Sequence, residues 1–255
     1  RENLRFSRRL FSCYQLISRN DIDFAFQIIY LINIKYEKNM KVFAEFIEHN
    51  GLQFRTKTLL QFGDSWDLIG SIVMKNPGSA KPGIALDDST YQNISNFLGE
   101  KINSATWSVS SNDPTIRKIA TIFNGNHVDK DLKLNGIIQI YNLYNICEPK
   151  INLAYQKAEN ANQDLLYIDL HKVISEFKNK PVYLGFFHFY TYRKTKHSEY
   201  LQKTARGIFD YVKNSKFNYF SYKDIIDNPY YHPYSRYVYG EKNIPLLKRF
   251  ISFYE

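Results

Sequence analysis

Three short segments hold residue types able to do chemistry, and each closes an apolar run. Asn76-Pro77-Gly78-Ser79 follows the run 68–74, and Asn142 follows 136–141. The third, Asn228-Pro229-Tyr230-Tyr231-His232-Pro233-Tyr234-Ser235-Arg236, comes after 217–222. The first lacks the Gly-x-x-x-x-Gly-Lys-Ser/Thr spacing of a Walker phosphate loop, which excludes that kind of nucleotide site. On its own, Pro77-Gly78 reads as a turn. In the third, two prolines rigidify the loop around His232. Tyr234 adds a ring on which a base can stack, and Arg236 adds a phosphate ligand. Asp87, Asp88 and Asp113 are the carboxylates a metal-dependent nuclease would use to hold Mg²⁺, although acidic loop residues ordinarily stay solvated. His188 and His197 sit among Tyr190, Tyr192, Arg193, Lys194 and Lys196, a basic aromatic stretch that reads as a DNA path or a solvated loop.

The elements that must position these residues fall into two sections. From about residue 10 to 49 the apolar residues recur at helical spacing: Phe24, Ile28, Leu31 and Ile32, then Val42, Phe43, Phe46 and Ile47. Asn50-Gly51 reads as the stop of the second helix. The spacing predicts a helical N-terminal cap over 1–65. From Trp66 onward short apolar runs alternate with helical ones. Strands are predicted at 68–74, 136–141, 181–187 and 217–222, and helices at 114–123, 163–177 and 198–214. Such alternation predicts an α/β fold, a three-layer sandwich around a mainly parallel four-stranded sheet, as the domain 66–255. In open sheets of this kind ligands bind beyond the carboxyl ends of the strands, where all three segments fall. The stretch 81–111, rich in Ser and Asn, reads as a loop insertion after the first strand.

Composition narrows the partners. Lys and Arg number 34 against 25 Asp and Glu, and the net charge of +9 draws polyanions, nucleic acid foremost. The 21 Tyr and 19 Phe supply stacking surfaces, although an AT-rich gene would raise the same residues. With 44% hydrophobic and 23% charged residues the chain is neither disordered nor fibrous. No apolar run reaches the ~20 residues of a membrane span. Cys13 and Cys147 lie far apart with no Cys-x-x-Cys, which predicts a reducing cytoplasm and no zinc site.

Together the segments resemble the uracil-DNA glycosylase superfamily over about 66–239. Asn76-Pro77-Gly78 matches the first motif, Gly-x-Asn-Pro-Gly, of its mismatch-specific and single-strand-selective branches, with Met74 where the leading glycine stands. His232-Pro233-Tyr234-Ser235-Arg236 keeps the His, Pro and Arg of the second motif, His-Pro-Ser-Pro-Arg. Asn142 falls where the family places a base-reading Asn. An uncharacterised bacterial family with Asn-Pro-Ser-Thr-Ala, Asp-Asp-Pro-Thr-Ile-Arg and Asn-Leu is similar at Asn76-Pro77-Gly78-Ser79-Ala80, Asn112-Asp113-Pro114-Thr115-Ile116-Arg117 and Asn142-Leu143.

The resemblance implies a monomeric, metal-free and cofactor-free enzyme that flips a base out of DNA and hydrolyses its N-glycosidic bond. Under it Asn76 holds a water and His232 donates to the leaving base. Asn142 reads the base edge, and Pro77, Gly78, Ser79 and Asp113 bind substrate. Lys75, Tyr234, Ser235 and Arg236 contact DNA. Met74 and the 81–111 segment depart from the plain uracil pattern and point to a bulkier base, such as glucosylated hydroxymethylcytosine of phage DNA. A non-catalytic DNA-binding module and a metal-dependent nuclease are the alternatives.

Overall fold

A parallel strand pair needs its edges filled on both sides, and among the described residues seven strands share that work. The computed structural model describes residues 40–110, 113–186, 196–220, 232–233, 240–241 and 243–255. The helical section expected over 1–39 lies outside them, as do Tyr234, Ser235, Arg236 and most of the basic aromatic stretch. By contact the chain divides into Arg1–Met40 and Lys41–Glu255.

The strands are β1 (Met40–His49), β2 (Leu52–Phe62), β3 (Leu68–Met74), β4 (Ile84–Ala85), β5 (Trp107–Val109), β6 (Gly136–Asn142) and β7 (Val182–Leu184), in the spatial order β4-β5-β1-β2-β6-β3-β7. The helices are α1 (Asp88–Leu98), α2 (Pro114–Phe123), α3 (Ile151–Lys157), α4 (Gln163–Leu166), α5 (Leu170–Glu176), α6 (Lys196–Asn214) and α7 (Ile244–Ile251). The α/β class holds. The four-stranded, mainly parallel sheet does not: only β6, β3 and β7 run parallel, while β2 pairs antiparallel with β6 and β5 antiparallel with both β1 and β4.

Three readings change with it. Residues 40–62 are a hairpin of the sheet and not the end of a helical cap. Met40, Val42, Ala44 and Phe46 alternate along β1 and are all buried, and Asn50 and Gly51 both take left-handed φ (51° and 69°), as a two-residue hairpin turn demands. The segment 81–111 is not a bare loop. Asp87 caps α1 by accepting from the Thr90 N–H at 2.7 Å, and Ile94, Ile102 and Trp107 pack with Phe43, Leu59 and Ile137 in one buried cluster. Finally, 217–220 form no strand. The edge N–H of Leu184 in β7 is instead capped by the Tyr219 hydroxyl at 2.8 Å. The predicted helix 163–177 also divides, into α4 and α5.

Helices pack on both faces of the parallel strands. On one face Phe123 of α2 meets Phe250 of α7 at 5.1 Å and Tyr254 at 5.8 Å, ring to ring. A Cβ on Gly70 of β3 would sit 2.2 Å from the Tyr254 hydroxyl. On the other face Tyr141 of β6 donates to the Glu176 carboxylate of α5 at 2.9 Å and packs edge-on against Phe177. Among the described residues no helix is long and apolar enough to cross a membrane.

Trp107 is fully buried at the centre of the cluster that ties α1 to the sheet. Trp107→Ala should therefore cost about 3–5 kcal/mol in urea unfolding, while Ile84→Ala, at an exposed position on β4, should cost under about 0.5 kcal/mol.

Candidate active site

The parallel register sets the site. Met74, the last residue of β3, lies opposite Asn142, the last of β6, so the two strands end level. Beyond Met74 the Asn76-Pro77 step ends the strand, because proline offers no N–H to the ladder. The segment after β6 turns along the end of β3: Leu143 N–H donates to the Met74 carbonyl and Tyr144 N–H to that of Lys75, both at 2.9 Å. The N-terminus of α2 faces the same place. Asp113 caps it, its Oδ1 accepting from Ile116 N–H at 2.9 Å, with Pro114 in the first turn.

Between these elements lies a cavity of about 420 Å³. Asn76, Pro77, Gly78, Ser79, Asp113, Asn142 and His232 all line it. Residues from four separate parts of the sequence, 76–79, 113, 142 and 232, are thus brought together. No residue of 80–110 lines the cavity. The cluster that anchors α1 contains Phe43, Leu59 and Ile137, and lies on the face of the sheet that carries Gln139 and Tyr141. Ile140 and Asn142 point the other way, into the cavity. The insertion supports the sheet and leaves the wall to α2.

Each polar group has a defined setting. The Asn76 side chain donates through Nδ2 to the Glu148 carbonyl at 2.8 Å, which fixes the amide plane and leaves Oδ1 as an acceptor. Asn142 is 1% exposed, and among the described residues its buried Oδ1 has no hydrogen-bond partner. Burial pushes the His232 imidazole down to about 4. The negative charge of Asp113 opposes that shift and the positive charge of Lys75 adds to it. The ring is therefore neutral at neutral pH. Lys75, expected at the DNA surface, is instead 6% exposed, and burial pushes its ammonium down to about 8. It does not line the cavity, and its charge reaches the site through His232.

Comparisons with protein-family models, curated proteins and solved structures gave no significant match. The chemistry of the cavity rests on its own geometry.

Sequence reasoning missed Arg55. It is 5% exposed, on β2, and lines the cavity. Its orientation follows from a slip in strand pairing. Thr58 lies opposite Ile140, but Phe54 lies opposite Ile146, so four residues of β2 span six of the facing chain. Thr56 and Lys57, neighbours that an even pleat would send to opposite faces, both line a second cavity beside Tyr141. Arg55 is left facing the first. No pattern of residue types signals such a slip. Asp87 and Asp113, candidate metal ligands by sequence, each cap a helix, and among the described residues no group of three or more His, Cys, Asp or Glu could hold a metal ion.

Gly185, directly after β7, lets the second motif come close. A Cβ there would lie 2.7 Å from Met74 Sδ and 3.2 Å from Pro233 Cδ. Gly185→Ala should displace the His232-Pro233 step with little loss of fold, read as a shift of the His232 ring signals in NMR at near-constant melting temperature. His232 and His127, both pushed down to about 4 chiefly by burial, bind fewer protons folded than unfolded. Their contribution is intact above about pH 6.5 and is lost as pH falls toward 4. The pH dependence of unfolding should steepen there by about 1.4 kcal/mol per pH unit for each ring, and His127→Gln should remove one ring's share.

Proposed function

We propose that the chain is a DNA glycosylase, hydrolysing the bond between deoxyribose and a base flipped out of DNA. The observation that carries this reading is the meeting of Asn76, Asn142 and His232 on one cavity at level strand ends. The net charge of +9 suits a polyanionic partner. At about 420 Å³ the cavity falls in the ~300–1,000 Å³ range of ligand sites, which suits a base carrying a substituent. The substrate we favour is a hypermodified base such as glucosylated hydroxymethylcytosine, with uracil as the competing substrate.

The roles follow from the chemistry. As the C1′–N bond breaks, its electron pair leaves with the base, positive charge grows on the sugar, a water supplies the oxygen that bonds to C1′, and the proton that water sheds through solvent neutralises the departing base. Asn76, held by the Glu148 carbonyl, presents Oδ1 to that water; an amide orients water without deprotonating it. His232, neutral because it is buried, donates an N–H to the base as negative charge develops there. A buried imidazolium would carry a desolvation cost that the neutral ring avoids. Asn142 offers a buried acceptor to the base edge. Asp113 keeps one carboxylate oxygen on the α2 backbone and has the other for a sugar or base donor. Tyr234, Ser235 and Arg236 lie outside the described residues, and their role in filling the gap in the base stack is read from sequence alone.

Incubation in EDTA with glucosylated phage DNA, uracil DNA and unmodified DNA, followed by alkaline cleavage of abasic sites, tests the reading. Abasic sites should appear in the modified DNA. Asn76→Ala should reduce them about 10²-fold and His232→Gln about 10²–10³-fold. The rate should stay level between about pH 5 and 7, with its acid limb near 4 and not near 6.5. Strand breaks without alkali that vanish with chelator would mark a metal-dependent nuclease. Salt-sensitive binding unchanged in Asn76→Ala, with no product from any DNA, would mark a binding module.

A further inference from the structure

One group on the cavity wall has no part in the mechanism above. Arg55 is 5% exposed, its Nε is buried without a partner, and among the described residues its guanidinium makes no hydrogen bond or ion pair. A guanidinium stays charged and has donors only, set in a flat fork. Burying it costs free energy that the negative charge of Asp113 only partly offsets, and an acceptor-bearing ligand would recover more. Asp113, which also lines the cavity, is partly committed to capping α2. On the same cavity, the buried Oδ1 of Asn142 lacks a donor among the described residues. Apart from the Asn76 and Asp113 oxygens assigned above to water and sugar, the wall thus offers a fork of donors and the Asn142 acceptor.

The complement is a flat edge with two adjacent acceptors beside one donor. Cytosine has that edge in O2, N3 and the N4 amine. Uracil and thymine place an N–H between their two carbonyls and would set a donor against the fork. Adenine has no adjacent acceptor pair. Guanine has one in O6 and N7, but on its Hoogsteen edge and not on its Watson–Crick edge. We propose that Arg55, together with Asn142, makes this cavity selective for a cytosine-type edge: the guanidinium donates to O2 and N3, and Asn142 Oδ1 accepts from the N4 amine. Substituents at C5 lie away from O2 and N3 and leave the fork's contacts intact. The assignment rests on the glycosylase reading for its context, but base recognition is measurable without cleavage.

The full chain is titrated with free cytosine, 5-hydroxymethylcytosine, guanine, uracil, adenine and inorganic phosphate, with melting temperature and calorimetry as readouts. Wild type, Arg55→Lys and Arg55→Gln are compared. Cytosine and 5-hydroxymethylcytosine should stabilise the wild type, with uracil and adenine at least about tenfold weaker. Arg55→Lys keeps the charge and loses the fork, and should weaken cytosine binding about tenfold or more while the protein stays folded. Should Arg55→Gln fail to fold, Arg55→Lys carries the comparison. Equal binding of cytosine and uracil, binding of guanine alone, or cytosine binding unchanged in Arg55→Lys would each overturn the assignment. So would stabilisation by phosphate that matches cytosine, which would indicate a plain anion site. Arg55-dependent cytosine binding with no abasic sites in any DNA would uphold Arg55 and defeat the glycosylase reading. Abasic sites in uracil DNA, undiminished in Arg55→Lys, would do the reverse.

Discussion

The pairing of β3 with β6 in parallel, ending at Met74 opposite Asn142, is the constraint on which the site depends. Level ends place the turn after one strand beside the last residue of the other, so a largely buried turn and a buried amide share one wall. Were the register shifted by a single residue, Asn142 would point to the opposite face, where Tyr141 and Gln139 meet α5. The apolar residues of both strands hold the pair in place: Ile72, Val73, Ile137, Ile138 and Ile140 are all essentially inaccessible to water.

Around that pair the protein divides its labour. The face holding α1, α5 and α6 is anchored by aromatic packing and is remote from the cavity. The face holding α2 and α7 contributes a helix N-terminus and lines the site. This division explains how the long excursion between β3 and α2 leaves no residue of 80–110 on the cavity wall. It extends the sheet through β5 and β4 and shelters β1, whose outer edge would otherwise be open.

Much of the parallel core was legible in the sequence, because apolar runs that stop at Asn or Pro have few other solutions. The runs 68–74 and 136–141 lie within strands as observed, and Asp113-Pro114 marks the start of α2. The hairpin was misread for a specific reason: Val42, Phe43, Phe46 and Ile47 satisfy a helical period as well as a partly two-sided strand. Asn50-Gly51 can end a helix or turn a hairpin. α1 was hidden by its polar composition, since Ile94 is its one fully buried residue. Arg55 could not be anticipated, because a lone cation on a strand reveals its face only once the slip between Thr58 and Phe54 is known.

The strand order carries a cost during folding. β3 lies between β6 and β7, both of which come later in the chain. Its Leu-Ile-Gly-Ser-Ile-Val-Met run therefore has both edges open until those distant segments arrive. An apolar, uncharged strand in that condition is a site for wrong pairing with other chains. Long-range closure of this kind is slow, so a newly made chain faces a kinetic contest between completing the sheet and aggregating. Low temperature or chaperone assistance during production should tip that contest toward the native fold.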